Sequence, residues 1–432
     1  MSIQNMASAA KAASIQMAAL DGDIKNKALK AIAGALLSNK EAIIKANSND
    51  LIRSEQESLE LPLLKRLKFD EHKIAEVIEG INSLIGLAEP VGQTLMSTEL
   101  DQGLELYKVS CPIGVIGIIF ESRPDALVQI ATLCLKSGNA VLLKGGREAK
   151  ETNKILAEII EEATIKAVIP QGWIQLLETR EDVSEMLKLD DYIDLIIPRG
   201  SNAFVKYILQ NSNIPVLGHA DGICHCYVDG EADLKQAISI VNDSKTQYVA
   251  VCNATETLLV HQAIAKEFLP LVKAELDKSN VIIYGCENTL KVIECEPASN
   301  ESYATEYLDY AISVKVVKNV EEAIEHINHY GSGHTDAIIT ENNAIANQFM
   351  TLVDAGNVFL NCSTRFSDGF KYGFGAEVGI STNKIHARGP VGLDGLLIYK
   401  YKMIGKGHIA KDYSEGIKSF THKKLDGPFH ID

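Results

Sequence analysis

Apolar residues along this chain follow two different periods. Up to about residue 90 they recur at helical spacing, as in Ile74, Val77 and Ile81, which predicts a helical N-terminal region. Beyond residue 104, short apolar runs such as 115–120 alternate with amphipathic segments such as 125–136. This alternation predicts βαβ units, and therefore an α/β fold with doubly wound parallel sheets.

A second α/β unit is predicted to begin near residue 232 and to end in a glycine-rich region, 369–395. Two strand-like segments, 104–110 and 396–401, look like sheet edges that lack partners within a core. Edge strands of this kind often pair between subunits, so we expect a homo-oligomer with a small β flap. The predicted divisions of the chain are 1–103 with 112–231, then 232–395, and finally 104–111 with 396–432.

Composition limits the kinds of partner. The 432 residues carry a net charge of −15, which argues against a nucleic-acid partner. The chain has no apolar run of about 18 residues and no signal-peptide pattern, so we expect a cytoplasmic protein without a membrane partner. The eight cysteines lack paired metal-ligand spacing, which predicts reduced thiols and no metal site. Cys224 and Cys226 flank His225, but alternation along a strand points the histidine away from both cysteines and favours a buried strand.

Cys252 stands between a short apolar approach, 248–251, and a strand-like run, 257–261. The small residues Asn253 and Ala254 allow a turn that leaves the sulfur accessible. A thiol is nucleophilic only as the thiolate, so a catalytic role requires a site that stabilises the anion. Local sequence alone favours the alternative, a buried structural cysteine. The catalytic hypothesis becomes the better one only when the motifs elsewhere in the chain are considered.

Basic and hydroxyl side chains follow two of the predicted strands. Lys144 ends one strand and Arg147 follows it, and two cations at the carboxyl end of a parallel strand suit a ribose 2′-phosphate. The alternative for both is an ordinary solvated turn. Ser201 lies between a strand and a helix, where it can hold a phosphate, cap the helix, or do both. No GxGxxG motif follows a predicted strand, so any dinucleotide binds without that fingerprint.

Six separated segments resemble the aldehyde dehydrogenase superfamily and occur in its order. They are PIGVIGIIFESRPD, NAVLLKGGREA, IIPRGS, VCNATETLLVH, EYLDYAISVKVV and KYGFGAEVGISTNKIHARGPVGLDGL. The resemblance extends from about residue 9 to residue 405. Within the superfamily, GFGAEVGIST and HARGPVGL resemble the gamma-glutamyl phosphate reductase branch in particular.

The resemblance implies an NADPH-dependent oxidoreductase of proline biosynthesis that converts L-glutamate 5-phosphate to L-glutamate 5-semialdehyde and phosphate. By position in the matching segments, Cys252 is the catalytic nucleophile and forms a thioester. In the same way, Lys144, Ser201 and Glu306 contact the cofactor, although a surface carboxylate is the alternative for Glu306. The resemblance then implies that residues 1–103 with 112–231 bind NADP and that residues 232–395 carry the catalytic cysteine. Residues 104–111 with 396–432 would serve oligomerisation.

Two departures from the superfamily pattern bear on the reaction. Hydrolytic members carry a glutamate base in the segment that matches residues 216–222, where this chain has no glutamate. Such a base activates water against a thioester, so its absence fits an enzyme in which phosphate makes or breaks the acyl bond. The oxyanion-binding asparagine is also missing, and Ser122 is the catalytic candidate closest to its position. His219 and His386 are candidate proton donors, although lone histidines are more often structural or solvated.

The anionic groups of such a substrate call for cations. Arg123 and Arg388 are the substrate-binding candidates, because a guanidinium binds carboxylate or phosphate through two N–H donors. The alternative is that each arginine pins a glycine-rich loop to a nearby carboxylate. A CoA-acylating aldehyde dehydrogenase acting on another small acyl substrate is the alternative enzyme, and a non-catalytic ligand-binding protein is a third hypothesis. Because acyl phosphates are labile, contact with a glutamate 5-kinase is a further hypothesis.

Overall fold

A computed structural model describes residues 2–121, 123–219, 221–375 and 377–430 of the chain. The chain divides into two compact units. The first comprises Met1–Gly200, Tyr207–Val216 and Val391–Asp432, and the second comprises Ser201–Lys206 and Leu217–Pro390. The cofactor-binding, catalytic and oligomerisation roles assigned to segments of the sequence stay predictions.

The α-helices span Ile3–Met17 (α1), Gly22–Ser38 (α2), Lys40–Gln56 (α3), Leu61–Leu67 (α4), Glu71–Gly86 (α5), Pro124–Lys136 (α6), Lys150–Lys166 (α7), Arg180–Met186 (α8), Asn202–Asn211 (α9), Leu234–Thr246 (α10), Ala265–Leu276 (α11), Glu287–Leu290 (α12), Asn300–Tyr303 (α13), Val320–Tyr330 (α14), Asn343–Leu352 (α15) and Ala410–Ser414 (α16). Among the described residues, none of the helices combines the length and the apolar character needed to cross a membrane.

The β-strands span Thr94–Asp101 (β1), Leu104–Pro112 (β2), Val115–Ile119 (β3), Ala140–Lys144 (β4), Ile174–Leu177 (β5), Leu195–Pro198 (β6), Cys224–Val228 (β7), Thr255–His261 (β8), Ile282–Gly285 (β9), Glu296–Pro297 (β10), Ala311–Val317 (β11), Thr335–Ile339 (β12), Asn357–Leu360 (β13), Gly379–Ser381 (β14), Gly389–Val391 (β15), Leu397–Ile404 (β16) and Lys423–Lys424 (β17).

The first unit contains a four-stranded parallel sheet with the strand order β5-β4-β3-β6. Every residue of β3 and β4 is buried. Continuous apolar runs of this kind are typical of parallel sheets that are covered on both faces. Helix α6 connects the two strands and is itself buried along nearly its whole length. The predicted βαβ unit is therefore present, with strands at the expected positions.

A second sheet of the first unit is antiparallel, with the order β16-β2-β1-β17. Strand β2 pairs with β1 on one side and with β16 on the other. The expectation that residues 104–110 form a sheet edge was therefore wrong, because β2 lies between two strands and β1 was not identified in the sequence. Its apolar residues do not alternate: Leu95 and Met96 are adjacent, and both are exposed. Pairing between subunits stays a prediction.

The second unit is built on a seven-stranded parallel sheet with the order β10-β9-β11-β8-β7-β12-β13. Successive residues of β7 point to opposite faces, since Cys226 joins one apolar core and Tyr227 joins the other. Helices α10 and α11 pack in the first core, and α14 and α15 pack in the second. Helices thus cover both faces of the sheet, which confirms the doubly wound α/β fold.

A buried ion pair joins α10 to β8. Lys245 Nζ lies 2.6 Å from Glu256 Oε2, and neither side chain is exposed. Burial raises the pKa of Glu256 to about 7 and lowers the pKa of Lys245, and the attraction between the two charges offsets only part of each shift. Taking the two charges out of water therefore costs more than their attraction returns. Either charge left alone would be buried without a counter-ion, so the pair depends on both partners.

We expect Glu256→Gln to lower the free energy of unfolding by about 3–5 kcal/mol, because Lys245 remains as a buried cation without a counter-ion. The double substitution Lys245→Met with Glu256→Leu removes both charges and is expected to recover most of that loss. Asp277→Asn is a matched control, since Asp277 pairs with Lys273 on the surface and contributes less than about 1 kcal/mol. Chemical denaturation followed by circular dichroism measures all three variants. Equal losses of unfolding free energy in Glu256→Gln and Asp277→Asn would contradict the assignment of a buried ion pair that depends on both partners.

Candidate active site

Three reactive side chains lie at the amino ends of three neighbouring strands in the second unit. Cys224 is the first residue of β7, His334 immediately precedes β12, and Cys252 lies in the turn just before β8. The sheet order places β8, β7 and β12 side by side. Because the strands are parallel, their amino ends share one edge of the sheet. The topology thus brings together residues that are more than a hundred positions apart in sequence.

The turn that carries Cys252 is held by the following residue. Asn253 Nδ2 donates to the Ser367 carbonyl oxygen at 2.8 Å, and Thr364 Oγ1 donates to the Asn253 carbonyl oxygen at 2.7 Å. On its other side the turn is pressed against Gly222, where an added Cβ would lie only 2.2 Å from the Cys252 carbonyl oxygen. Only glycine at position 222 leaves room for this approach. These contacts therefore fix the backbone of the turn that carries the Cys252 sulfur.

His334 is the partner of the Cys252 thiol. Its Nε2 lies 3.2 Å from Cys252 Sγ, and its side chain is completely buried. Its Nδ1 lies 2.8 Å from Thr335 Oγ1. We assign the Nδ1 proton to that contact, which leaves the Nε2 lone pair facing the thiol. A nucleophile beside a base that is itself oriented by a third group is the arrangement expected for covalent catalysis.

Two further side chains complete the surroundings of the sulfur. Cys224 Sγ donates to the Cys252 carbonyl oxygen at 3.1 Å and is itself buried. His219 lies with its ring centroid 5.0 Å from that of His334, and its Nδ1 lies 3.0 Å from the Ile380 carbonyl oxygen. His219 lies in the segment 216–222, where the resemblance found in the sequence implies a base in hydrolytic enzymes.

The electrostatics of the site keep the Cys252–His334 pair neutral at rest. Burial raises the pKa of the Cys252 thiol to about 12, and the carboxylates of Glu306 and Glu377 act in the same direction. The guanidinium of Arg365 acts in the opposite direction. Burial also lowers the pKa of His334 well below its usual value. A separated thiolate and imidazolium are therefore disfavoured in these surroundings.

Two of the predicted cofactor residues belong to this unit. Ser201 is exposed and immediately precedes α9, as predicted. Glu306 is half-buried and accepts a hydrogen bond from Asn202 Nδ2 at 2.6 Å. Asn202 also donates to Asp221 at 2.9 Å. The structure thus links the start of α9 to the Glu306 loop, and the charge of Glu306 is felt at Cys252.

The other predicted residues of the cofactor site belong to the first unit. Lys144 is buried at the carboxyl end of β4, and its Nζ donates to the Gly145 carbonyl oxygen at 2.5 Å. Arg147 forms an ion pair with Glu57 at 2.6 Å, yet 81% of its side chain is exposed. The position of Lys144 is the one at which nucleotides usually meet a parallel sheet. Whether either residue contacts a cofactor stays a prediction.

The remaining site predictions have different outcomes. Ser122 lies outside the described residues. Arg123 pairs with Asp125 at 2.8 Å beside α6. Arg388 binds Asp354 through a 2.9 Å ion pair and through a 3.0 Å hydrogen bond to the Asp354 carbonyl oxygen. These contacts match the loop-pinning alternative, and substrate binding by either arginine stays a prediction.

Sequence reasoning missed His334 and Arg365. Ligands usually meet parallel sheets at the carboxyl ends of strands, which directs attention to residues that follow a strand. His334 precedes its strand and was therefore not predicted. The available signal was a histidine three residues before the short apolar run 337–339, with Cys252 placed similarly before the strand-like run 257–261. Arg365 lies in the 364–366 turn that holds the Cys252 loop, a link that only the three-dimensional contacts reveal.

Comparisons with known proteins agree with this geometry. The model of the aldehyde dehydrogenase family matches residues 1–283 and 297–379. The gamma-glutamyl phosphate reductase of Acetivibrio thermocellus is 69% identical over 431 residues, with 100% of both chains covered. The crystal structure of gamma-glutamyl phosphate reductase from Thermotoga maritima matches with a TM-score of 0.93 and 42% identity, covering 95% of this chain and 100% of that one. An acetylating aldehyde dehydrogenase from Geobacillus thermoglucosidasius shares the fold, with a TM-score of 0.63 and 18% identity over 94% of this chain and 97% of its own. The chain therefore belongs to the aldehyde dehydrogenase family and to its gamma-glutamyl phosphate reductase branch, which confirms the resemblance found in the sequence.

Proposed function

We propose that this protein catalyses the NADPH-dependent reduction of L-glutamate 5-phosphate to L-glutamate 5-semialdehyde and phosphate, a step of proline biosynthesis. The names of its relatives support this reaction. The observation that carries the proposal is the 3.2 Å contact between Cys252 Sγ and His334 Nε2. It pairs a nucleophile with a proton acceptor, the arrangement expected for acyl transfer through a thioester.

The residues assigned to the cofactor fit NADPH. Lys144, at the carboxyl end of β4, and the exposed Arg147 provide two cations for a ribose 2′-phosphate. Ser201 precedes a helix and fits a phosphate contact, and Glu306 fits a contact with the nicotinamide ribose. When bound, NADPH supplies the hydride that reduces the acyl group.

The first half of the reaction transfers the acyl group to sulfur. Because the resting Cys252–His334 pair is neutral, we infer that His334 accepts the thiol proton while the sulfur attacks the acyl carbon. A free thiolate then never accumulates. The C–S bond forms, the C–O bond to phosphate breaks, and phosphate leaves with the electrons of that bond. Cys252 is left as a thioester, and the proton resides on His334.

The second half restores the site. Reduction of the thioester carbonyl produces a thiohemiacetal oxyanion on Cys252, and its collapse expels the sulfur and releases the aldehyde. His334 returns its proton to the departing sulfur. Water does not compete for the thioester because the segment 216–222 offers no glutamate base, and its one carboxylate, Asp221, is engaged by Lys206 at 2.7 Å and by Asn202.

Three arginines are proposed to bind the anionic groups of the substrate. Arg365 is the candidate for the phosphate, because its charge acts directly on the Cys252 sulfur. Arg123 and Arg388 are the candidates for the α-carboxylate, since a guanidinium keeps N–H donors available beyond one ion pair. Arg388 also lines a cavity of about 370 Å³ together with Ser332 and Gly333, just before His334 in the chain.

The reverse reaction tests the reaction class. We expect NADP⁺ and L-glutamate 5-semialdehyde to yield NADPH only when inorganic phosphate is added, because phosphate must cleave the Cys252 thioester. Cys252→Ala is expected to abolish the signal while NADPH binding, measured by fluorescence, persists. NADPH formation without phosphate would show that water accepts the acyl group. Formation that depends on CoA instead would establish the CoA-acylating alternative.

Removal of the proposed base tests the mechanism. We expect His334→Asn to lower kcat by about 10²- to 10⁴-fold, because proton transfer no longer accompanies attack by the sulfur. The dissociation constant of NADPH should stay unchanged, and circular dichroism should confirm the fold. His329→Asn removes an exposed histidine from the same unit and serves as the matched control. A folded His334→Asn or His334→Gln variant with kcat within about twofold of the parent would refute a role for this imidazole.

Substrate binding by Arg388 is tested by Arg388→Lys. We expect a higher apparent KM for the semialdehyde at similar kcat, because lysine cannot reproduce the two-pronged contact of a guanidinium. Lys384→Gln is the control, since Lys384 pairs with the same Asp354 carboxylate at 2.5 Å but is not proposed to bind substrate. An unchanged KM together with a lower thermal midpoint would show that Arg388 only pins its loop.

A further inference from the structure

We propose that the catalytic site also binds one thiophilic divalent cation, Zn²⁺ in particular, through Cys252, His334 and His219, and that this cation reversibly inhibits the enzyme. One ligand atom from each residue lies within 4.8 Å of the other two. Sulfur and imidazole nitrogen are the ligands that zinc takes in proteins, whereas Mg²⁺ and Ca²⁺ take oxygen. The sequence predicted no metal site because these three residues are far apart in the chain and form no recognisable ligand motif.

The distances suit a small tetrahedral ion. Zinc bonds of about 2.3 Å to sulfur and about 2.0–2.1 Å to nitrogen place the ligand atoms about 3.3–3.6 Å apart. Cys252 Sγ and His334 Nε2 are already 3.2 Å apart. With all three atoms within 4.8 Å, the ligand atom of His219 needs to approach by no more than about 1.5 Å. Rotation of a half-buried side chain supplies such a movement.

The surroundings of both histidines provide an independent argument. A metal-binding histidine usually donates its other ring N–H to a neighbouring acceptor, which fixes the tautomer and the ring orientation. Nδ1 of His219 meets the Ile380 carbonyl oxygen at 3.0 Å, and Nδ1 of His334 meets Thr335 Oγ1 at 2.8 Å. A neutral imidazole that donates from Nδ1 carries its lone pair on Nε2. The Ile380 carbonyl oxygen can only accept, so His219 presents its lone pair on Nε2, and the Nδ1 proton assigned to the Thr335 contact gives His334 the same tautomer.

Three protein ligands leave the fourth coordination position of the ion for water. Cys252 and His219 are partly exposed, which gives the ion a route of entry. On binding, the S–H bond of Cys252 breaks, a sulfur–zinc bond forms and the proton passes to solvent, with no electron transferred. The occupied sulfur can no longer attack an acyl phosphate. Binding stands on the geometry alone, whereas the inhibition rests on the proposed function.

The test titrates the full-length protein with Zn²⁺ and, in parallel, with Co²⁺ as a spectroscopic probe. We expect one Co²⁺ per chain and a thiolate-to-cobalt charge-transfer absorption that disappears in Cys252→Ser and on addition of Zn²⁺. Phosphate-dependent NADPH formation should fall with Zn²⁺ and return when a chelator is added. A cobalt complex without charge-transfer absorption would overturn the site.

Two variants locate the cation. His219→Asn should weaken Zn²⁺ binding at least about tenfold, with inhibition expressed relative to the variant's own rate without metal. His72→Asn, which removes a surface histidine with 79% of its side chain exposed, should bind and respond like the parent. Unchanged affinity in His219→Asn would overturn the proposal. A cobalt spectrum that depends on Cys252 and His219 in a protein without reductase activity would support the site and refute the proposed function.

Discussion

The structure of the second unit depends on the close approach of strands β8, β7 and β12 at their amino ends. This approach places a thiol, an imidazole and a second buried thiol within hydrogen-bonding distance, and it leaves so little space that position 222 must be glycine. Parallel pairing makes the approach inevitable once the apolar runs have formed a sheet. Hydrophobic patterning thus determines where Cys252 sits, although it carries no information about chemistry.

Burial gives this site its particular reactivity. The same exclusion of water that raises the pKa of the Cys252 thiol also lowers that of His334, so neither group is charged at rest. A neutral site of this kind is protected from unwanted reactions of a thiolate, and under the proposed mechanism it reacts when an electrophile allows bond formation and proton transfer together. The Lys245–Glu256 pair, only a few residues from Cys252, shows the same strong desolvation in a structural setting.

The fold could be predicted from sequence because it leaves local signals, and Cys252 could be chosen as the candidate nucleophile because its segment matches a family pattern. The runs that form β3, β4 and β13 are short, apolar and bounded by turn residues, and the Cys252 segment matches a family pattern. Strand β1 left no such signal, since its adjacent exposed Leu95 and Met96 break the alternation that identifies a half-buried strand. His334 could not be assigned because its role arises from a contact between strands that are distant in sequence, and no local spacing encodes that contact.

The resting neutrality of the site also explains why the lost glutamate base matters. Water is a poor nucleophile and needs a base to attack a thioester, whereas a thiol attacks an acyl phosphate, whose leaving group departs readily as an anion. The segment 216–222 presents His219 toward the sulfur in place of a carboxylate base. Under the proposed function, the absence of a carboxylate base leaves phosphate as the acyl acceptor, and the imidazole of His219 places a second nitrogen near the sulfur, where zinc is proposed to bind. The segment that is proposed to spare the thioester from hydrolysis is therefore the same segment that is proposed to supply a metal ligand beside Cys252.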